Sequence, residues 1–219
     1  MSKGEVVLLD FWASPFCMRV KIALEEKGVE YEAREEHLFA GKSELLLKPN
    51  PVYQKVPVFL HHGKPLYDSI TIISYIDEVW PSPPLLPASA YGRAQARLWA
   101  DFIDEKVLVA GNIWRSKGEV AERAKNEFID LLKQLEGGLG EKEYFGGDSF
   151  GFVDIIVISL ASWFYAFEKF GWFKVEEECP KLSAWMNKCM QRESVAKVIP
   201  DAEKVYEYAI MMRKLRGIE

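Results

Sequence analysis

Hydrophobic and charged positions in the first eighty residues follow two periods in turn. Val6 to Trp12 is a nearly continuous apolar stretch with one Asp, rich in β-branched and aromatic types, which predicts a strand covered on both faces. A helix follows at once: Ser14 is a favoured N-cap, Pro15 suits the first helical position, and Phe16, Val20, Ala23 and Leu24 recur at helical spacing until Gly28. In Val29-Glu30-Tyr31-Glu32-Ala33-Arg34 apolar and charged positions alternate, which predicts a half-buried strand. A short helix capped by Ser43 runs through Leu47 and ends at Pro49-Asn50-Pro51. Val56 to Leu60 reads as strand, His61-His62-Gly63-Lys64 as turn, and Pro65-Leu66-Tyr67 as a returning strand. Ile70 to Trp80 is placed on a helix capped by Ser69. The order is therefore β-α-β-α-β-β-α.

Pro57 lies within what otherwise looks like a central strand, where a missing N–H would break the ladder. A cis Val56-Pro57 bond at the start of the strand resolves this and leaves the preceding backbone groups for another extended chain. Pro81-Ser82-Pro83-Pro84, with Pro87 close behind, cannot continue a helix, so residues 81–91 read as a linker between a domain at 1–80 and one at 92–219. Beyond it, 94–114, 119–135, 153–170, 181–192 and 201–215 all carry helical patterning, and the second domain is expected to be all-α.

Composition narrows the class. The chain has 219 residues, 49% of them apolar, and a net charge of -5 with the two signs interspersed, which offers neither nucleic acid nor an anionic membrane an electrostatic footprint. Val6 to Leu9 is too brief for a signal-peptide core, and the longest apolar run, Ile155 to Phe167, is short of the roughly 18 to 20 residues of a membrane span. Three cysteines, 17, 179 and 189, form no close pairing, which fits a reducing cytoplasm.

The chemistry concentrates in Ser14-Pro15-Phe16-Cys17, the frame of a thiol-redox motif with a hydroxyl in place of the first sulfur. As a nucleophile Ser14 would need a nearby base, yet the histidines are His37, His61 and His62, and no G-x-S-x-G elbow is present. As a donor it needs only an anion at the helix N-terminus, where N–H groups and the positive dipole end already gather. Beside this stands the plain reading that Ser14 caps its helix. Cys17, one turn on, reads as a buried, inert thiol. His61-His62 lack a third ligand at any metal spacing and read as turn residues; no metal is expected. Gly137-Gly138 and Gly146-Gly147 are turns, and Arg213-Lys214-Leu215-Arg216 complements a helix end.

Ser14-Pro15-Phe16-Cys17-Met18-Arg19-Val20, Glu26-Lys27-Gly28, Asn50-Pro51, Lys55-Val56-Pro57-Val58, Asp68-Ser69 and Tyr75-Ile76-Asp77-Glu78, in this order, resemble the cytosolic glutathione transferases, specifically the plant tau class. The likeness runs from about residue 5 to Met211-Met212-Arg213-Lys214. It implies an α/β thioredoxin-like N-terminal domain plus an all-α C-terminal helical domain, a cytoplasmic homodimer, and conjugation of glutathione to hydrophobic electrophiles in detoxification and stress response, with peroxidase activity on the side. Glutathione would be a cosubstrate, with no resident cofactor. Ser14 would hold its sulfur as thiolate and the Val56 main chain would pair with its cysteinyl backbone. Lys42 and Lys55 would meet its glycine carboxylate, Asp68 its γ-glutamyl amino group, and Ser69 the neighbouring carboxylate. The electrophile would lie among Phe11, Phe16, Leu38, Leu108, Trp163, Tyr208 and Met212, residues that composition alone would assign to ordinary core. Two departures stand out: Asp68 replaces the family's usual Glu, and Gly151 replaces the usual Ser or Thr cap three residues before Asp154. The helix containing Leu108 and Asn112 lacks a Tyr and an Arg that many relatives carry, which implies a more apolar pocket. Two other functional classes are a thiol-disulfide or dehydroascorbate reductase working through Cys17, and a non-catalytic carrier of apolar ligands such as hormones, flavonoids or porphyrins.

Overall fold

A computed structural model describes residues 5–36, 41–48, 50 and 53–218. The chain divides into two compact units, 1–86 and 87–219. In the first, the elements are β1 (Val6–Asp10), α1 (Pro15–Glu26), β2 (Glu32–Glu35), α2 (Glu44–Leu47), β3 (Val58–His61), β4 (Lys64–Tyr67) and α3 (Ser69–Val79). The sheet order is β2-β1-β3-β4, with β2 parallel to β1 and the other two pairings antiparallel. Together with the helical second unit this is the thioredoxin-like plus all-α architecture.

The alternation of side chains along a strand explains the two buried faces. Val7 and Leu9 of β1 and Val58 of β3 join Leu46 of α2 in one cluster. Leu8 and its register partner Phe59 are left for the opposite face, where the Tyr75 ring of α3 meets Phe59 edge-on at 6.2 Å. Each fully buried aliphatic or aromatic side chain of this kind stabilises the fold by about 1.5–3 kcal/mol relative to exposure. The Val56–Pro57 bond is cis, and β3 begins after it.

Several local expectations change. Gly137-Gly138, expected as a turn, lie inside the helix Gly118–Leu139, and His61 and Lys64, expected in the turn, close β3 and open β4. The second strand lies at Glu32–Glu35 and all four residues are exposed, because β2 is the sheet edge; of the apolar positions that suggested a half-buried strand, Val29 and Tyr31 precede it and Ala33, within it, is exposed. The cap of α3 is the Asp68 carboxylate, whose Oδ2 accepts from Thr71 N–H at 2.9 Å; Ser69 is already helical. The apolar run 153–170 is two helices, not one, and they part at Ser159, whose hydroxyl donates back to Ile156 C=O at 2.8 Å in competition with the helical ladder.

The second unit contains α4 (Ala90–Ala110), α5 (Asn112–Arg115), α6 (Gly118–Leu139), α7 (Phe152–Ile158), α8 (Ala161–Gly171), α9 (Val175–Glu178), α10 (Pro180–Met190), α11 (Glu193–Ala196) and α12 (Ala202–Leu215). Strand-like pairing among its described residues is confined to the bridge Tyr144–Gly147. Its core is organised around Asp154, fully buried at the start of α7. One carboxylate oxygen accepts from Phe145 N–H (3.0 Å) and the Trp185 indole (3.1 Å), and the other from Gly151 N–H (3.1 Å). Gly151 has no side chain to complete a capping box, so Asp154 supplies one half of it and ties α7 to α10 instead. Among the described residues no helix is long and apolar enough to cross a membrane.

Candidate active site

The sheet topology gathers the expected ligand-binding residues at one end of the first unit. β1 ends toward Ser14, β3, antiparallel to it, starts just after Val56, and β4 ends at Tyr67 just before Asp68. Glu36 follows β2 to the same end, where its N–H donates to Asp10 C=O at 2.8 Å. Glu36 in turn accepts from the Ser43 hydroxyl at 2.6 Å, which fixes the segment carrying Lys42.

Ser14 has extended φ and ψ, its N–H donates to Phe11 C=O at 2.9 Å, and its Oγ accepts from Cys17 N–H at 3.3 Å. The capping role is thus real, with Pro15 in the first helical position. It does not exclude the other role. A hydroxyl has one proton and two lone pairs; the cap uses a lone pair and leaves the O–H to donate. Ser14 is half-buried, so that proton lies at the edge of solvent beside the N-terminus of a twelve-residue helix.

Cys17, the neighbouring thiol, is fully buried. Burial, followed by the charge of Asp10, pushes it far above the ordinary thiol value, and Ser14 offsets this only in part. The thiolate that reductase chemistry requires is therefore suppressed.

The segment before β3 is held by Asn50, itself buried. Its side chain donates to Lys55 C=O at 3.0 Å and accepts from Tyr53 N–H at 3.1 Å. Among the described residues the N–H and C=O of the half-buried Val56 have no hydrogen-bond partner, as a site for an extended peptide requires. Lys42 and Lys55 are exposed and, among the described residues, form no ion pair.

Asp68 sits in the left-handed region, φ 72, a conformation that favours glycine and recurs at ligand sites. With Oδ2 engaged in the cap, Oδ1 of this exposed carboxylate is the atom that can meet a ligand ammonium. Ser69 is 3% exposed, and its Oγ accepts from the buried guanidinium of Arg19 at 3.2 Å. Arg19, which also covers the Phe16 ring at 4.9 Å, thereby locks the first turns of α1 and α3 together. Sequence reading assigned Arg19 and Asn50 no role, since nothing local to either announces its distant partner.

Of the residues expected to contact an electrophile, Phe11 is buried beside Trp12 and Phe16 is half-buried, while Leu38 lies outside the described residues. In the second unit, α8 and α12 pack together and bring Trp163 and Tyr208 edge to face at 6.2 Å; Met212, also on α12, is buried. Leu108, on α4, is 60% exposed. Trp114 stacks on Trp163 at 5.3 Å, and the guanidinium groups of Arg115 and Arg216 lie over the Trp114 ring at 5.0 and 5.3 Å. Burial pushes the Tyr208 phenol up, and the charges of Arg216 and then Arg115 pull it back. Two cations thus flank the aromatic cluster of this unit, a feature that the expectation of a more apolar pocket did not include.

Comparison with known proteins shows the family. The family profile described as "Glutathione S-transferase, N-terminal domain" matches residues 4–78, and "Glutathione S-transferase, C-terminal domain" matches 94–193. The chain is 55% identical to glutathione S-transferase U25 of Arabidopsis thaliana over 217 residues, 98% of each chain. Among solved structures it is similar to rice GST1 (OsGSTU1) in complex with glutathione, with TM-score 0.93, 45% identity and 98% of each chain covered. It also matches the tau class glutathione S-transferase of mango, Mangifera indica, with TM-score 0.90 and 37% identity over 96% of this chain and 99% of that one.

Proposed function

Because the chain belongs to the tau class of the glutathione S-transferase family, we propose that it conjugates glutathione to apolar electrophiles, with the Ser14 O–H holding the glutathione sulfur as thiolate. The observation that carries this reading is the position of the Ser14 hydroxyl, which caps α1 through a lone pair at the end of the sheet where, among the described residues, Val56 offers unpaired backbone groups. The rice relative, solved with glutathione, supports the choice of ligand.

The energetics suffice. An unperturbed thiol, pKa about 8.5, is a few per cent ionised near pH 7, and lowering it by about two units takes about 2.7 kcal/mol. A hydrogen bond to a charged group contributes about 1.5–3 kcal/mol, and a helix N-terminus about 0.3–1 kcal/mol. The thiol proton leaves to water. The sulfur lone pair then forms the C–S bond while a leaving group departs with its electron pair, or adds to an activated alkene whose carbanion takes a proton from water.

Opposite charges meet around the tripeptide. Lys42 and Lys55 face its glycine carboxylate, Val56 N–H and C=O pair with its cysteinyl backbone, Asp68 Oδ1 receives the γ-glutamyl ammonium, and the first turn of α3 at Ser69 receives the adjacent carboxylate. Phe11, Phe16, Leu38, Leu108, Trp163, Tyr208 and Met212 contribute apolar surface to the electrophile, and Arg115 and Arg216 favour one bearing a negative group. The protein works in the cytoplasm as a homodimer, in detoxification. Ser14→Ala should lower turnover of a chloronitrobenzene electrophile at least tenfold while the far-ultraviolet circular dichroism is retained; unchanged turnover contradicts the assignment.

A further inference from the structure

The end of the sheet opposite Ser14 carries a second cluster. His61 closes β3 in register with Val6, the first residue of β1, so the residue before Val6, Glu5, lies beside it. His62 N–H donates to Glu5 C=O at 2.9 Å, which anchors the β3–β4 turn to the start of β1. Successive side chains of a strand point to opposite faces. His62 breaks that rule because its φ of 49 turns the chain back, and its ring stacks on His61 with centroids 4.3 Å apart.

The outcome is three potential ligand atoms in one place. His62 Nε2 lies 2.9 Å and His61 Nε2 3.9 Å from Glu5 Oε1, and one donor atom from each residue falls within 4.8 Å of the others. The donors of a tetrahedral zinc site with bonds of about 2.0–2.1 Å stand about 3.4 Å apart, inside this range. The His61 ring is also oriented from behind: its Nδ1 is 2.8 Å from the Tyr75 hydroxyl, leaving Nε2 toward Glu5, which is the outer-shell arrangement that fixes a ligating imidazole. The Trp80 ring lies 5.1 Å from the His61 ring. His61 is buried, whereas the His62 side chain is 62% exposed and can swing to open the stack as an ion enters from solvent.

We propose that Glu5, His61 and His62 form a site for one divalent transition cation of the Zn2+ type, with water in the fourth position. Two imidazole nitrogens and one carboxylate suit a borderline cation better than the oxygen-seeking Mg2+ or Ca2+. Lying at the far end of β1 and β3 from Ser14, the ion acts as a staple between the start of β1 and the β3–β4 turn, and takes no part in conjugation. Binding only the folded chain, it raises stability in proportion to the logarithm of its concentration once above its dissociation constant. The sequence alone hid the site, because Glu5 is remote from the histidine pair and only the β1–β3 register joins them.

The test uses untagged full-length protein, titrated with Zn2+ alone by calorimetry and by thermal melting. The expected result is one ion per chain and a melting temperature that climbs by several degrees with added Zn2+. Both effects should weaken at least tenfold in metal concentration for His62→Ala and for Glu5→Gln, and about tenfold for Tyr75→Phe. Turnover of the chloronitrobenzene electrophile should be the same with and without the ion. Absence of binding overturns the proposal, as does binding of equal strength in His62→Ala and Glu5→Gln.

Discussion

The hydroxyl of Ser14 caps its helix, and the proposed second task is compatible with the first because a hydroxyl's proton and its lone pairs are separate resources. The first shows as a 3.3 Å hydrogen bond from Cys17 N–H, long enough to be a modest cap. Ser14→Ala is therefore expected to cost about 1 kcal/mol of stability, a loss separable from its larger kinetic effect. Cys17 makes a contrasting case. Its position in the motif invites a redox role, but complete burial and the Asp10 charge hold it protonated. In the native protein Cys17 should resist an aromatic disulfide reagent, and Cys17→Ser should retain conjugation; rapid labelling together with lost activity would restore the reductase reading. At Asp68 one carboxylate oxygen is engaged by Thr71, so Asp68→Glu should leave glutathione affinity unchanged or improve it. A tenfold loss by equilibrium binding would show that the shorter acid is matched to this site. The motif around Ser14 was legible in sequence because cap, proline and helical spacing are local signals. The hydrogen bonds of Arg19 and Asn50, the Asp68 cap in a left-handed conformation, and the Arg115–Arg216 pair beside Tyr208 were not, since each depends on backbone geometry or on a partner brought in by the fold.

Among the elements, α7 shows how a missing side chain is compensated. Without a hydroxyl at Gly151, Asp154 gathers three N–H donors from Phe145, Gly151 and Trp185. Burial nevertheless pushes its carboxyl up to about 6 from an ordinary 3.8. A folded value above the unfolded one means that the group favours folding fully below about pH 4, and that this contribution is lost as pH rises through about 6. Over that window the loss is about 3 kcal/mol, from about two units of displacement. Asp154→Asn removes the titration, so denaturant unfolding should show a smaller stability difference between pH 4.5 and 7 in the variant than in the parent; an equal difference contradicts the assignment. Helix and strand periods located most elements. They failed at β2, where an edge strand has no buried face to pattern, and at Ser159, where a hydroxyl inside an apolar run breaks the helix without Gly or Pro.

The whole chain joins an α/β unit, which presents Ser14, Val56, Asp68 and Ser69 at one end of its sheet, to a helical unit carrying the Trp114–Trp163–Tyr208 cluster. That overall plan was readable because a βαβ opening, a proline-rich break and uninterrupted helical patterning are coarse features that survive local errors. The proposed homodimer predicts a light-scattering mass about twice the 25.1 kDa of one chain; a mass of one chain at micromolar concentration rejects it. The most direct test of the central claim is the ionisation of glutathione bound to the protein, followed by the ultraviolet band of its thiolate across pH. With Ser14 present the midpoint should fall about two units below that of the free tripeptide, and in Ser14→Ala it should return most of the way. A bound midpoint equal to the free one would contradict the account.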